Sequence, residues 1–582
     1  MKICVTLLLF LVVFVSTAQK RSTVVFEDFV TDHSVRDFTP AVLRAVDYIK
    51  KHHIQRLVFS PKRYDFYPDS TVDKYVFTSN NDEGLKRTVF MLSGISDLEI
   101  DGQGAEFIFH GYVSPFNVEN SSNIRFRHFT IDWSRTFHSE GTIVEVGNHS
   151  VDVRFGPEYP YKIESGLLLF NDSLGNDYPY GSILEFDSRK METAYMARDY
   201  YLAGNQPAIS LSPGVVRIFT PDLTGTVGNV FVFNPAKRLV PAFVVADSKG
   251  VTFDYVTIYH CGGMGIVAQR SSNFLINHLV VSRNPKKDRV LSVTADATHF
   301  VNCSGFIRID SCVFENQMDD ATNIHGIYVQ VARRLLPEKL LVELIHEQQY
   351  GFDFIRPGSA LEFVHNTTME AYDTMKVKSV KRLNKQFTEI TFDKPLPQEM
   401  VVGKDVLAAI GLYPDVTISN SVIRKNRARG MLIGSRGKVI IERNIFHTPG
   451  AAILFEGDGS YWFEQAGVRD VTVRDNVFDN CNYGVWGNAV IQIGSGVQQE
   501  YRSASRYNRN IRIHGNTFNS FDPRILTAYS VQGLAFFDNV VHESSEYPNK
   551  FIGSQQFNVS DCSDIRIDKP QVRADGATVS GR

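Results

Sequence analysis

Short apolar stretches of alternating character recur along most of the chain. They begin at Val251-Thr-Phe, Phe274-Leu-Ile, Phe306-Ile-Arg-Ile, Val416-Thr-Ile, Val439-Ile-Ile, Val471-Thr-Val, Ile511-Arg-Ile and Leu534-Ala-Phe, with earlier copies at Leu98-Glu-Ile and Ile124-Arg-Phe. Alternation over so few residues predicts short strands with one buried face. The steps from 251 to 274, 416 to 439 and 511 to 534 are each 23 residues; those from 439 to 471 and from 471 to 511 are 32 and 40, as loops on some turns would give. Asn-x-apolar triplets follow several of these starts, at Asn444, Asn476, Asn516 and Asn539. Asn at one register of each turn is predicted to stack as a ladder and to bend the backbone through the left-handed region. A period near 23 with three short strands per turn predicts an all-β chain built as a right-handed parallel β-helix of about ten coils.

Two stretches break the rhythm. Residues 134–240 and 327–412 carry longer alternating runs, such as Thr142-Ile-Val-Glu-Val, Val151-Asp-Val-Arg-Phe and Thr388-Glu-Ile-Thr-Phe. They predict two inserted β-barrel or β-sandwich domains. The β-helix is then divided into 19–133, 241–326 and 413–582. One helix is expected, over Asp37–His52, with Thr39 as cap, Pro40 at the first helical position and Val42, Ala45, Val46 and Ile49 on the buried face. It would close the N-terminal end of the solenoid core.

Residues 1–18 read as a cleaved signal peptide: Lys2, the apolar run Cys4–Val15, then Ser16-Thr17-Ala18. The run is too short for a comfortable transmembrane helix, so an exported protein, periplasmic or extracellular and without membrane insertion, is expected. Lys+Arg number 61 and Asp+Glu 64 in 582 residues, which gives no basic surplus for nucleic acid. Five cysteines remain after the leader, an odd set without CxxC, and are expected to be buried thiols. Aromatic residues make up 12% of the chain, which suits sugar stacking as well as a β-rich core.

The sharpest chemical feature is Gln317-Met-Asp319-Asp320-Ala-Thr-Asn323-Ile-His325-Gly326, which follows Val293-Thr-Ala-Asp296-Ala-Thr-His299 by 23 to 24 residues. Strands of neighbouring coils lie about 4.8 Å apart. Asp296 should therefore stand beside Asp319 and Asp320, and three carboxylates so close should keep at least one proton. A protonated and an ionised carboxyl side by side are what hydrolysis of a glycosidic bond needs. A solvated acidic turn or a Ca²⁺ site are the other readings, the latter disfavoured by the His neighbours. Aligned coils put Gln269, His299, His325 and Glu456 along one wall, where each either hydrogen-bonds sugar hydroxyls or is an exposed turn residue. Trp462, on a Gly-rich loop after Glu456, either stacks on a sugar or anchors the loop. Trp133 and Trp486 read as core or coil-edge aromatics.

One Asp, then an Asp-Asp pair one coil later, then His-Gly on a β-helix resembles the polygalacturonase clan of inverting glycosidases. The Arg-x-Lys that grips a carboxylate in that clan has no counterpart directly after Gly326, which argues against a uronic acid. The whole chain is more similar to glycoside hydrolase family 110, through Phe26-Glu-Asp-Phe, Asp101-Gly-Gln-Gly104, Phe129-Thr-Ile-Asp-Trp133, the two inserted domains and the Asp296, Asp319, Asp320 set. That resemblance implies an exo-acting, inverting removal of terminal α-1,3-linked galactose from blood group B-type glycans and, in one subgroup, from linear Gal-α-1,3-Gal. It implies Asp319 as general acid, Asp296 and Asp320 as the pair that directs water, no metal or organic cofactor, and dimerisation of some members. The rival readings are a non-catalytic carbohydrate-binding β-helix, and a lyase, which would need a Lys or Arg base; Lys286 and Lys287 are near Asp296 in sequence.

Overall fold

A computed structural model describes residues 22–32 and 36–573. The leader expected at 1–18 lies outside the described residues.

The short apolar stretches stack as parallel rungs. Val251 pairs with Phe274, Val416 with Val439, Val439 with Val471, Val471 with Ile511 and Ile511 with Leu534. A second ladder runs beside it through Val422, Ile445 and Val477. A third runs through Phe243–Ala246, Ile266–Gln269, Thr298–Val301, the start of Thr322–Leu336, Met431–Ile433 and Ile453–Phe455. Each coil thus contributes three strands, and the fold is a parallel β-helix. In one place the register departs from the reading above: Ile307, not Phe306, sits opposite Phe274, after a shift between Ser272 and Phe274.

Alternation decides what the solenoid buries. Val251, Phe253, Phe274 and Ile276 point inward and have no exposed surface. Each such side chain contributes about 1.5–3 kcal/mol on burial. Inward Phe rings stack from coil to coil, Phe446 on Phe478 at 5.0 Å and Phe478 on Phe518 at 4.7 Å between centroids.

The Asn ladder is present, with a different backbone from the one expected. Asn444 Nδ2 donates to Asn476 Oδ1, Asn476 Nδ2 to Asn516 Oδ1 and Asn516 Nδ2 to Asn539 Oδ1, each at 3.0 Å. The left-handed bend falls one residue earlier, on Arg443, Asp475, Gly515 and Asp538, with φ between 52° and 67°. That bend frees the Asn side chain to turn inward and satisfy the backbone of the neighbouring turn.

The helix spans Thr39–His52 and buries Val42, Ala45, Val46 and Ile49 as expected. Its cap differs: Phe38 is the N-cap residue, Asp37 Oδ1 accepts from the Thr39 amide at 2.9 Å, and Thr39 Oγ1 donates instead to the Tyr67 carbonyl. Lys50, Lys51 and His52 in the last turn complement the helix dipole.

In the first insertion, strands between Ser139 and Pro235 form an open antiparallel sheet of eight strands. The second is a closed six-stranded barrel. Thr322–Leu336 leaves the solenoid, pairs with Lys339–Glu343, and the chain returns through Ala360–His365, Glu370–Arg382 and Phe387–Phe392 to Val406–Ala409, which closes on Tyr328–Gln330. Cys261, Cys303, Cys312 and Cys481 are free and buried, and Cys562 is free and half-buried. Among the described residues no helix is long and apolar enough to cross a membrane.

Candidate active site

The third ladder delivers Asp296, Asp319 and Asp320 to one spot. Two of its rungs break just before their strands, at Asp296 ahead of Thr298–Val301 and at Asp319-Asp320 ahead of Thr322. The Ala297 amide donates to the Asp320 carbonyl at 3.0 Å, and the Asp320 amide to Asp296 Oδ1 at 3.3 Å. One carboxylate oxygen from each of the three lies within 4.8 Å of the other two. All three are buried.

Three arginines meet them. Arg238, near the end of the first insertion, donates to Asp319 Oδ2 at 2.6 Å. Arg427 Nη1 lies 3.3 Å from Asp319 Oδ1 and grips Asp199 of the first insertion with Nε and Nη2. Arg429 forks onto Asp320 with two 3.0 Å bonds and adds its own amide at 3.2 Å. Asp296 has no guanidinium within 4.0 Å among the described residues; its Oδ2 faces His299 Nδ1 at 2.6 Å.

These contacts sort the protons. Burial pushes Asp296 up, the negative charge of Asp319 adds to it, and Arg238 and Arg429 only partly oppose it. Burial also raises Asp320 against the pull of Arg429. For Asp319, burial is outweighed by Arg238, Arg427 and Arg429, which hold its carboxyl below the ordinary range. The trio therefore holds a raised and a depressed carboxyl together, as stacking requires. It is Asp319, the acid implied by the resemblance, that these guanidiniums hold toward its ionised form. A divalent cation is a poor occupant, because guanidinium groups already take both oxygens of Asp319 and of Asp320.

The cavity over the trio is lined by Asn80, Arg238, Asn323, Arg429, Trp462 and Glu464, with Asp296, His299, Asp319 and Asp320 at its base. A larger groove of about 520 Å³, lined by Glu99, Asn123, Arg125 and Asn273, opens elsewhere on the solenoid, away from these carboxylates. Of the five candidate binding residues, His299 and Trp462 line the cavity. His299 falls in the row of Val267 and Asn323, two positions before the row that joins Gln269 to Val301 and His325, so the wall read from the sequence is two rows. The Gln269 amide holds the backbone of Phe77 and Ser79, His325 lies behind His299, and burial raises Glu456 at the flank of Arg429. Trp462 is 37% exposed, and its loop is fixed by Asp458, which accepts from the amides of Ser460, Tyr461 and Trp462. Trp133 is core; Trp486 is half-buried and donates to Asp199 at 3.1 Å, close to Arg427. Lys287 pairs with Asp132 and Lys286 with Glu106, so neither reaches the trio.

Sequence reasoning missed Arg238, Arg427, Arg429, Asn80, Asp199 and Glu464. For Arg427 and Arg429 a signal existed. Thr322 pairs with Met431, 109 residues on, and removal of the 86-residue insertion 327–412 leaves 23, one minimal coil. An Arg-x-Arg thus does follow the Asp pair, displaced by the insertion, and it grips the protein's own carboxylates.

Two sequence profiles match the insertions: "GLAA-B beta-barrel domain I" over residues 139–230 and "GLAA-B beta-barrel domain II" over 339–407. The chain is 36% identical to a protein of Shewanella woodyi named alpha-1,3-galactosidase A, over 90% of this chain and 86% of that one. It is 31% identical to alpha-1,3-galactosidase B of Bacteroides thetaiotaomicron, over 92% and 88%, and 28% identical to alpha-1,3-galactosidase A of Bacteroides fragilis, over 95% and 92%.

Proposed function

The chain belongs to the α-1,3-galactosidase family, and from that premise we propose that it is an exo-acting, inverting glycosidase. It removes terminal α-1,3-linked galactose from blood group B-type glycans and from linear Gal-α-1,3-Gal. The observation that carries the reading is the buried stack of Asp296, Asp319 and Asp320 under a cavity walled by Trp462 and hydrogen-bonding side chains. Such a cavity takes a neutral sugar: Arg238, Arg427 and Arg429 are already paired with Asp319, Asp320 and Asp199, so none is free for a uronate. We also propose export, from the leader-like residues 1–18.

In this reading Asp319 protonates the leaving oxygen, while Asp296 and Asp320 hold and deprotonate the attacking water. One observation favours a second assignment of the acid. Arg238 and Arg427 keep Asp319 ionised, whereas burial pushes Asp320 toward its protonated form. Asp320 would then donate, with Asp319 and Asp296 on the water. Both assignments use two carboxylates on one water, and so both lead to inversion. Separation alone favours the other outcome, since retaining enzymes set their carboxyls about 5–5.5 Å apart and inverting ones about 6.5–9.5 Å. Proton NMR of the first minutes of hydrolysis of a linear α-1,3-galactoside decides between them. β-Galactose is expected first; α-galactose first would make one of these Asp residues a nucleophile.

A further inference from the structure

Behind Asp296 runs a hydrogen-bond chain that ends on the backbone. Asp296 Oδ2 lies 2.6 Å from His299 Nδ1, His299 Nε2 lies 3.0 Å from His325 Nε2, and His325 Nδ1 lies 2.7 Å from the Gly326 carbonyl. A carbonyl can only accept, so His325 Nδ1 carries a hydrogen. In a neutral His325, Nε2 is then an acceptor, and His299 Nε2 must donate to it. A neutral His299 consequently presents a bare Nδ1 to Asp296. A doubly protonated His325 would reverse the chain and is favoured by Glu464 at 3.5 Å, but the ring is buried, and burial outweighs that pull and lowers its pKa, as it lowers that of His299 to about 4. The polarity of the chain is therefore fixed from the Gly326 end. The Asp296–His299 bond holds one proton, on either Oδ2 or Nδ1.

That bond sits where the mechanism has a difficulty. A buried Asp296 without a guanidinium partner favours the protonated form, which cannot accept a proton from water. We propose that His299 is a positioning residue that takes the proton of Asp296 during attack and so leaves that carboxylate free to act as base, with His325 holding the tautomer that makes this possible. The inference rests on the hydrolytic reading above. The proton moves from Oδ2 to Nδ1 along the existing bond, and the Asp296–His299 pair keeps its net charge. Water then loses a proton to Asp296 as its oxygen bonds to the anomeric carbon. The glycosidic bond breaks with its electron pair on the leaving oxygen, which takes the proton of Asp319 or Asp320. The extra proton on the Asp296–His299 pair leaves to solvent, and the acid is reloaded from solvent.

The charged groups around the pair fit this shift. Arg238 and Arg429 face Asp296 and favour its ionised form, while Asp319, Asp320 and Glu464 oppose it. Glu464 and Asp319 favour a cationic His299, and Arg238 opposes it. Glu464 Oε1 stands 3.5 Å from His325 Nε2 and is held at 2.7 Å by Asn80. Burial leaves the resting proton on Asp296, and the charges of Glu464 and Asp319 favour its passage to His299.

The test is the pH dependence of kcat/KM on a terminal α-1,3-galactoside for the wild type, His299→Gln and His325→Gln. A glutamine amide can donate to Asp296 or accept from it but cannot take its proton, so Asp296 in His299→Gln stays protonated to higher pH. Its acidic limb is expected to move up by about one pH unit or more, with about tenfold loss near neutrality that lessens as pH rises. His325→Gln is expected to shift the limb the same way by less, and it carries the test if His299→Gln does not fold. A uniform loss with an unmoved profile in the variants would overturn the inference. A wild type inactive on every α-1,3-galactoside would instead sink the functional reading. For that case a substrate-free measurement remains: the far-downfield proton NMR signal of the Asp296–His299 bond should vanish in both His299→Gln and Asp296→Asn, and its persistence in either would overturn the inference.

Discussion

Asp319 is the carboxylate whose role turns on its partners. Arg238 takes one of its oxygens and Arg427 the other, while Arg427 is itself anchored by Asp199. Asp319→Asn preserves shape and one acceptor oxygen but cannot carry an acidic proton. If Asp319 is the acid, activity on a substrate with a poor leaving group should fall about 10²-fold or more, and much less on one with a good leaving group. Equal loss on both substrates, with the leaving-group dependence appearing in Asp320→Asn instead, would assign the acid to Asp320. The Arg238 and Arg427 contacts predict a further sign: in Asp319→Asn the half-buried Arg238 loses its ion-pair partner and Arg427 keeps only Asp199, so the melting temperature should fall rather than hold.

At the scale of the strand and turn, the Asn ladder is the repeated device. Each buried Asn bridges two turns: Asn476 accepts from the side chain and amide of Asn444 and donates to the Ile441 carbonyl and to Asn516. Asn476→Ala removes an interior link and leaves the Asn444 donors and the Ile441 carbonyl without that partner. Each unsatisfied buried group costs about 1–3 kcal/mol, so denaturant unfolding should show a loss of at least that size. Asn476→Asp, which keeps the acceptor, should recover part of it unless the new charge dominates. An alanine variant as stable as the wild type would mean that water replaces the amide.

The ladder also shows where the sequence is legible. Inward positions such as Val251, Phe274, Val439 and Val471 repeat in kind because the solenoid interior accepts only apolar side chains there, and their spacing alone gave correct pairings. The turn is less legible. Asn is visible at each copy, but the strained backbone is carried by the preceding Arg443, Asp475, Gly515 and Asp538, whose types differ, since what that position needs is tolerance of positive φ. The Asp trio could be found because it obeys the coil period. Arg238, Asn80 and Asp199 could not, because loops and an inserted domain bring them to the site and no periodicity governs those.

Across the whole molecule, the first insertion is fastened to the far coils as well as to the site. Glu192 accepts from Tyr547 Oη at 2.5 Å and pairs with His447 Nε2 at 3.0 Å, and the Met196 amide donates to the Tyr483 carbonyl. Burial alone would lower the His447 pKa, but Glu192 outweighs it and raises it. A histidine whose folded pKa exceeds its unfolded value stabilises fully below the unfolded value of about 6.5, and that contribution is lost as pH rises through the folded value. The protection factors of amides in 187–201 should therefore be higher at pH 6 than at pH 9, and His447→Gln should erase the difference. Equal wild-type protection at both values would show that this fastening does not depend on the imidazolium. Since Asp199 lies in the same segment, loosening it would also loosen Arg427.

The six-stranded barrel has a consequence for the order in which the chain assembles. Thr322 and Met431 are neighbours on adjacent rungs, yet 109 residues separate them. Met431 is joined to that rung only after the intervening chain has been drawn together. The barrel does this itself, because its first and last strands pair side by side at Tyr328 and Ala408. Once it has formed, the remaining closure is that of an ordinary coil of about 23 residues, and the entropic cost of closing the loop falls by about 1.4 kcal/mol. A domain that looks like an interruption of the solenoid is thus a splint: once formed, it holds the two neighbouring rungs at the Asp trio in reach, and Arg429 meets Asp320 from a short distance.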